Sequence, residues 1–492
     1  MSQKNSEFNK VLNLWDILVL AFGAMIGWAW VVSTGDWIMQ GGVLGAMIGF
    51  VLGGIMIFFV GLAYAELTTA MPQNGGEHVF SYRALGKIGS FICTWSIIFG
   101  YTGVVCFEAC ALPTIFAYLY PEFLQWYLYS VGGFDIYATW LVLAISLVIL
   151  ITYVNIVGAK TAAILQTGLT LIIGAVGIVL IAAAGITGHA ANLEGQYFVG
   201  ATTTEMVKNT LAVAVMTPFF FIGFNVIPQA AEEISASLKN IGRILVLSII
   251  LAVAFYSFVI GAVGYLMNNA DISLSMQSVG GLVTADAMAK AFNSDMMAKV
   301  LIVGGLCGII TSWNSFLIGG SRAMYSMACA HMIPPVFAKL HPRYKTPVNA
   351  LFLLGVITII AVFFGKKMLL WVVDAGNFGC VLAYFIVSLS FLVLRVKEPD
   401  MKRPYRVGPY RFVGVMAVFM SGVMLIMYIV PGSGSALLPQ EWAMVVGWVF
   451  LGIIFGSYCK IKYKDKFADH VYFVKTIEIQ QEEYEAGDET MM

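Results

Sequence analysis

Charge is scarce in this sequence. Of its 492 residues only 11% are Asp, Glu, Lys or Arg, while 60% are hydrophobic. A chain with that balance cannot clothe a globule in polar groups, so an ordinary soluble domain is excluded. Net charge is absent too: 27 basic and 27 acidic residues cancel, and nothing points to a nucleic-acid partner. The five histidines are scattered, with no His/Asp/Ser or metal-ligand constellation, so neither an enzyme nor a cofactor or metal is expected. Seven cysteines at 93, 106, 110, 307, 329, 380 and 459 make an odd set without zinc-ligand spacing. A disulfide framework is therefore not expected. No small-residue cleavage site follows the first apolar run, which reads as an uncleaved helix rather than a signal peptide.

What the chain does have is long apolar runs. A helix crossing a bilayer needs about 20 mostly apolar residues. On that basis twelve spans are expected, at about 14–38, 43–67, 90–113, 136–157, 161–186, 206–231, 242–267, 297–320, 347–364, 368–395, 410–430 and 437–459. Lys and Arg are unevenly shared between the two sides. Of the 27, only Lys208, Lys290, Lys299, Lys366 and Lys367 fall on the side opposite the termini. The positive-inside rule then places both termini in the cytoplasm of a multi-pass cell-membrane protein. The expected layout is an N-terminal tail (1–13), one transmembrane domain (14–459) and a C-terminal tail (460–492) that is acidic and aperiodic. Residues 268–296 read as an external loop with a short helix.

Two of these runs are unsuited to an unbroken helix. Phe22 to Trp37 carries glycines at 23, 27 and 35, with Trp28 and Trp30 flanking Ala29. Half a chain later, just after Pro218, comes Phe219-Phe220-Phe221-Ile222-Gly223-Phe224-Asn225. Ile26-Gly27-Trp28 reappears there as Ile222-Gly223-Phe224. Glycines in membrane helices often serve only close packing. Paired interruptions at matching places in two halves point instead to a transporter's central site, because freed backbone groups survive there only against protein, water or ligand.

Four further stretches carry a family resemblance. They are Tyr64-Ala65-Glu66-Leu67 through Gly75-Gly76-Glu77 to Arg83-Ala84-Leu85-Gly86; Phe219 through Glu232-Glu233 to Lys239-Asn240-Ile241; Ser321-Arg322-Ala323-Met324-Tyr325-Ser326 with Lys345-Thr346-Pro347-Val348-Asn349-Ala350; and Lys397-Glu398-Pro399-Asp400 with Arg403-Pro404-Tyr405-Arg406. In this order they resemble the amino acid–polyamine–organocation (APC) transporter superfamily, bacterial-type amino acid permeases. The resemblance implies an all-α, LeuT-like membrane fold: spans 1–5 and 6–10 as inverted repeats, discontinuous helices 1 and 6, and helices 11 and 12 added.

It also implies a substrate site. Backbone N–H groups of Trp28 and Ala29, beside Gly27, would hold a carboxylate at a helix N-terminus. Carbonyls of Met25, Phe219 and Ile222 would hold an amine, with Phe219 as a gate. Trp30, Phe220, Gly223 and Asn225 complete the expected binding set. Lys160 resembles the lysine that replaces a bound sodium in sodium-independent members, beside Thr311, Ser312 and Ser315; as an ordinary inner-side lysine it would need no such role. The chain departs from the family at Gly27-Trp28-Ala29, where Gly-Ser-Gly is usual, and at Asn225, where an acid is common. It departs again at Ala236-Ser237 and Ile241-Gly242, where Asn-Pro and Ile-Pro are usual.

Glu108 stands in the third apolar run. An acid at the bilayer centre costs about 2.5–3.5 kcal/mol on insertion scales, so it needs a partner, water or a proton. Two roles are open: a structural hydrogen bond, or a lining group that attracts an amine or carries a coupling proton. Asp36 reads as wet, and Glu66, Glu232 and Glu233 as inner-gate partners for basic loops. The rings at 28, 30, 219, 220, 221 and 224 could attract a cation by about 0.5–2 kcal/mol each, but neighbouring residues cannot all face one site. The function expected is secondary active transport of an amino acid or small amine, sodium-independent, by proton coupling or exchange. The alternatives are a carrier of a carboxylate-free amine such as ethanolamine or a polyamine, and a non-transporting nutrient sensor.

Overall fold

The computed structural model describes residues 10–131, 134–277, 282–431, 433 and 436–468. The parts of the expected tails at 1–9 and 469–492 lie outside the described residues.

Glycine, proline and polar caps cut the apolar runs into helices α1 (Leu14–Met25), α2 (Ala29–Val32), α3 (Thr34–Gly41), α4 (Val43–Ala70), α5 (Glu77–Leu119), α6 (Ala138–Val157), α7 (Ala159–Thr187), α8 (Thr203–Phe220) and α9 (Val226–Gln229). There follow α10 (Leu238–Leu266), α11 (Asn269–Gln277), α12 (Val283–Phe292), α13 (Asp295–Cys329), α14 (Val348–Val362), α15 (Lys366–Lys397), α16 (Tyr410–Ile429) and α17 (Pro439–Tyr463). Asn13 caps α1 by accepting from the N–H groups of Trp15 and Asp16, and the Asp16 carboxylate reaches back to the Asn13 N–H. This reciprocal box satisfies donors that a helix start otherwise leaves open. Thr202 and Glu205 start α8 in the same way.

The core is apolar as in a soluble protein, but the exterior is apolar too. Ile164, Leu171 and Ile178 on α7, and Phe412, Phe419 and Ile426 on α16, repeat every seven residues and are each more than half exposed. Two helical turns separate such residues, so each set forms one outward apolar face. Glu66, Glu108, Glu233 and Arg322, by contrast, are buried inside. Only a surrounding solvent of hydrocarbon favours that arrangement.

Ten helices among the described residues are long and apolar enough to cross a membrane. The other two expected spans are α14, which is 15 residues long, and the interrupted pair α8 and α9. The third expected span starts earlier than its hydropathy suggests, because α5 begins at Glu77 and bends at Gly86. Its polar first turns resemble a loop in sequence but are buried against other helices. Two further differences lie in the connections between the long helices. Tyr127–Val131 and Phe134–Tyr137 pair as an antiparallel hairpin, β1 and β2, and residues 268–296 hold two helices, α11 and α12, rather than one.

The chain breaks at both glycine-rich stretches. The first helix stops at Met25, Ile26 leaves helical geometry, and α2 begins at Ala29. The second stops at Phe220 and restarts at Val226. Gly223 between them has φ +147°, a conformation open to glycine and costly for other residues. A Cβ built there would lie 2.8 Å from Met25 N and 2.8 Å from Ala24 Cβ, so the two breaks press directly together.

The face that carries both described chain ends is tied down by backbone. Val11 and Leu12 N–H donate to Glu233 O, and Ser235 N–H donates to Leu12 O. The described C-terminal end is tied just past the end of α13 and to α5: Ala468 N–H donates to Ala330 O, and Tyr82 Oη donates to Ala468 O.

Candidate functional site

Between the two breaks lies a cavity of about 30 Å³, lined by Met25, Gly27, Trp28 and Ala29 from the first and by Phe219, Phe220 and Ile222 from the second. That is room for one or two waters, too little for an amino acid unless the surrounding groups part. Trp28 N–H and Ala29 N–H open a new helix and have no acceptor within it.

The third wall is α5. Glu108 lines the cavity and is buried, and a Cβ built at Gly27 would lie 2.9 Å from its Oε1. Its other oxygen, Oε2, is buried without a hydrogen-bond partner. Ser312 of α13 lines the same space, its Cβ 3.4 Å from that built atom. A carboxyl with an open oxygen, aimed at a broken helix, can bind an ammonium group or a proton.

Aromatic residues divide between the cavity and the packing around it. Trp28 lines the cavity, but its ring edge lies on α13, where a Cβ built at Gly305 would collide with Cζ3 and Cε3. Phe219 meets Phe107 edge-on at 6.0 Å. Phe221 and Phe224 pack away from the cavity, the first against Phe50 and Tyr256, the second against Tyr64 and Tyr384. Trp30 is fully buried, edge-on to Phe255 at 5.4 Å, and outside the cavity lining. Gly223 and Asn225 also lie outside it. Asn225 Oδ1 accepts from Gly223 N–H at 3.1 Å and so shapes the turn.

The residues expected to serve coupling separate. Thr311 Oγ1 donates to Gly23 O at 3.0 Å and Ser315 Oγ to Leu20 O at 3.2 Å, which ties α13 to the end of α1. Ser312 turns to the cavity with Glu108. Lys160 belongs to α7, but its side chain lies outside the described residues.

Several lining groups escape the sequence reading. Tyr256 of α10 lines the cavity and donates from Oη to Met25 O at 2.8 Å, so that carbonyl already has a donor. A tyrosine in mid-helix needs a hydrogen-bond partner, and that requirement is the signal for it. Val104, Phe107 and Phe316 also line the space; as apolar residues in apolar helices they carry no local signal.

With this geometry in hand, comparison with known proteins shows a match to the amino acid permease family over residues 12–454. The chain belongs to that family. This permease is 26% identical to the methylthioribose transporter of Bacillus subtilis over 92% of its own length and 93% of the relative's. It is 24% identical to the branched-chain amino acid permease of the same organism, over 90% and 91% of the two chains. The aspartate–proton symporter of Bacillus subtilis is 25% identical, over 83% and 79%. The permease is thus matched nearly end to end by proteins named for moving small organic molecules.

Proposed function

We propose that this permease is a sodium-independent secondary active transporter for an amino acid or a related small amine, working by proton coupling or exchange. In this reading the face bearing Leu12 and Ala468 is cytoplasmic, and twelve spans form one domain over 14–459. Spans 1–5 and 6–10 form inverted repeats that rock around a fixed site, with spans 11 and 12 outside them. Lys160 supplies the positive charge that sodium would otherwise bring. Trp28 and Ala29 N–H receive any carboxylate, and Phe219 closes over the substrate.

One observation carries the reading: the Glu108 carboxyl faces the cavity between both helix breaks, with Oε2 free of a partner. An amine or a proton satisfies that oxygen, and only such a partner offsets its burial. A second reading is favoured by Trp28, whose ring takes space where the family usually has a serine. A compact amine without a carboxylate fits that smaller pocket, and a relative named for methylthioribose supports substrates other than amino acids. The test is uptake of labelled amino acids and amines by proteoliposomes, with sodium replaced by choline. Uptake of one class that persists without sodium is expected. Strict sodium dependence, or no uptake of any member, contradicts the proposal.

A further inference from the structure

A second buried carboxyl stands apart from the cavity. Glu77 opens α5 on the side of the chain ends and is fully buried. Its Oε1 accepts from Tyr64 Oη of α4 at 3.2 Å and from Asn225 Nδ2 at 3.5 Å, and its Oε2 accepts from Gln229 Nε2 of α9. No cation pairs with it among the described residues. Neighbouring His78 turns instead to Ser326 Oγ and Met332 Sδ. The titratable groups facing Glu77 are the phenols of Tyr64, Tyr101 and Tyr384 and the thiols of Cys93 and Cys380. All of these types are ordinarily neutral near pH 7.

This cage suits a carboxyl that changes protonation state. Ionised, Glu77 accepts from all three neutral donors, which reach it from α4, from the turn after α8 and from α9. Protonated, it becomes a donor, and Gln229 Oε1, buried without a hydrogen-bond partner, accepts from it only if the amide turns and gives up its Nε2 bond. Adding a proton therefore removes the charge that strengthens the bonds from Asn225 and Gln229, and makes the Gln229 amide turn before it can accept in exchange. Those residues follow the cavity-lining Ile222 by three and seven positions. Tyr101 Oη, which donates to Asn225 O at 3.1 Å, joins the same turn to α5 two helical turns from Glu108.

We propose that Glu77 is a proton-binding site that latches the half-helix after the second break: ionised, it holds α9 in place, and protonated, it releases it. Proton binding and movement of α9 are then linked, each favouring the other. This goes beyond the transport reading and does not require the substrate to be known.

The test is hydrogen exchange of residues 221–233 in the purified full-length protein, corrected for intrinsic rates, from mildly acid to mildly alkaline pH. In the wild type, exchange in this segment should rise several-fold as pH falls. Glu77→Gln should show the fast, acid-like rate at every pH, and Glu77→Asp should restore a pH-dependent profile. Glu108→Gln, measured in parallel, should keep the wild-type profile, which separates this latch from the cavity carboxyl. A Glu77→Gln protein with the wild-type profile overturns the proposal. If that variant does not fold, the wild type alone decides, because pH-independent exchange in 221–233 overturns it equally.

Discussion

Trp28 and Gly305 form the pair by which this chain shapes its cavity. A tryptophan fits at the first break because the facing position on α13 has no Cβ. Two substitutions follow from that contact. Trp28→Ser should widen the pocket, so that larger amino acids compete better against the native labelled substrate while the native substrate binds less well. Gly305→Ala should weaken transport by displacing the ring, and adding Trp28→Ser should relieve that loss. Strict additivity of the two changes in a double-mutant cycle would show that they are uncoupled. Glu108 offers a cleaner chemical change. Glu108→Gln keeps its shape and removes its charge and proton, so uptake should fall and lose its pH dependence. Unchanged uptake across pH would return Glu108 to a structural hydrogen bond. At this scale the sequence is informative where a residue is out of place in an apolar helix. Gly27, Trp28, Glu108 and Gly223 are legible for that reason. Val104, Phe107 and Phe316 are not, because only the rotation of their helices decides which face they show.

At the scale of elements, the breaks are legible because glycine and proline punctuate helices whatever their surroundings, and Gly223 at φ +147° uses that freedom. The start of α5 is not legible. Residues 77–87 are polar enough to read as a loop, yet Glu77, His78 and Ser81 are buried by other helices. Hydropathy cannot register a polar segment whose partners come from elsewhere in the chain. The β1–β2 hairpin is hidden for a similar reason: its strands are short, and the second runs into the apolar stretch expected as a span from 136. Ion pairs join elements on the side of the chain ends. Arg322 of α13 donates to Glu233 from Nε at 2.8 Å, with both side chains nearly fully buried. Arg395 Nη2 and Arg403 Nε reach Glu66 at 2.6 and 3.1 Å. Of the acids expected to meet basic loops, Glu66 meets one helical and one loop arginine, Glu233 meets helical Arg322, and Glu232 meets Asn74. Removing one partner of a buried pair costs about 3–5 kcal/mol, whereas replacing both with apolar groups is often neutral. Arg322→Met should therefore lower the thermal midpoint markedly, and Arg322→Met with Glu233→Leu should recover most of that loss. Equal midpoints for the single and double variants would mean that the pair is not the source of the stability.

For the whole molecule, the apolar exterior follows from composition, and membership of the amino acid permease family accounts for the near end-to-end match. The cavity of about 30 Å³ is assembled from several helices, and such a volume is written nowhere in the sequence as a local pattern. The central claim is that substrate sits between the two breaks, against Glu108. Gly27 is the atom-sized gap on which that claim rests, because a Cβ there would crowd the Glu108 carboxyl while pointing into the cavity wall. The most direct measurement is counterflow of the labelled substrate in sodium-free proteoliposomes containing wild type or Gly27→Ala, with thermal unfolding as a check that the variant is folded. The account predicts a folded Gly27→Ala protein with substrate exchange reduced by tenfold or more, the effect of losing about 1.4 kcal/mol of binding. Wild-type exchange and affinity in a folded Gly27→Ala protein would contradict it.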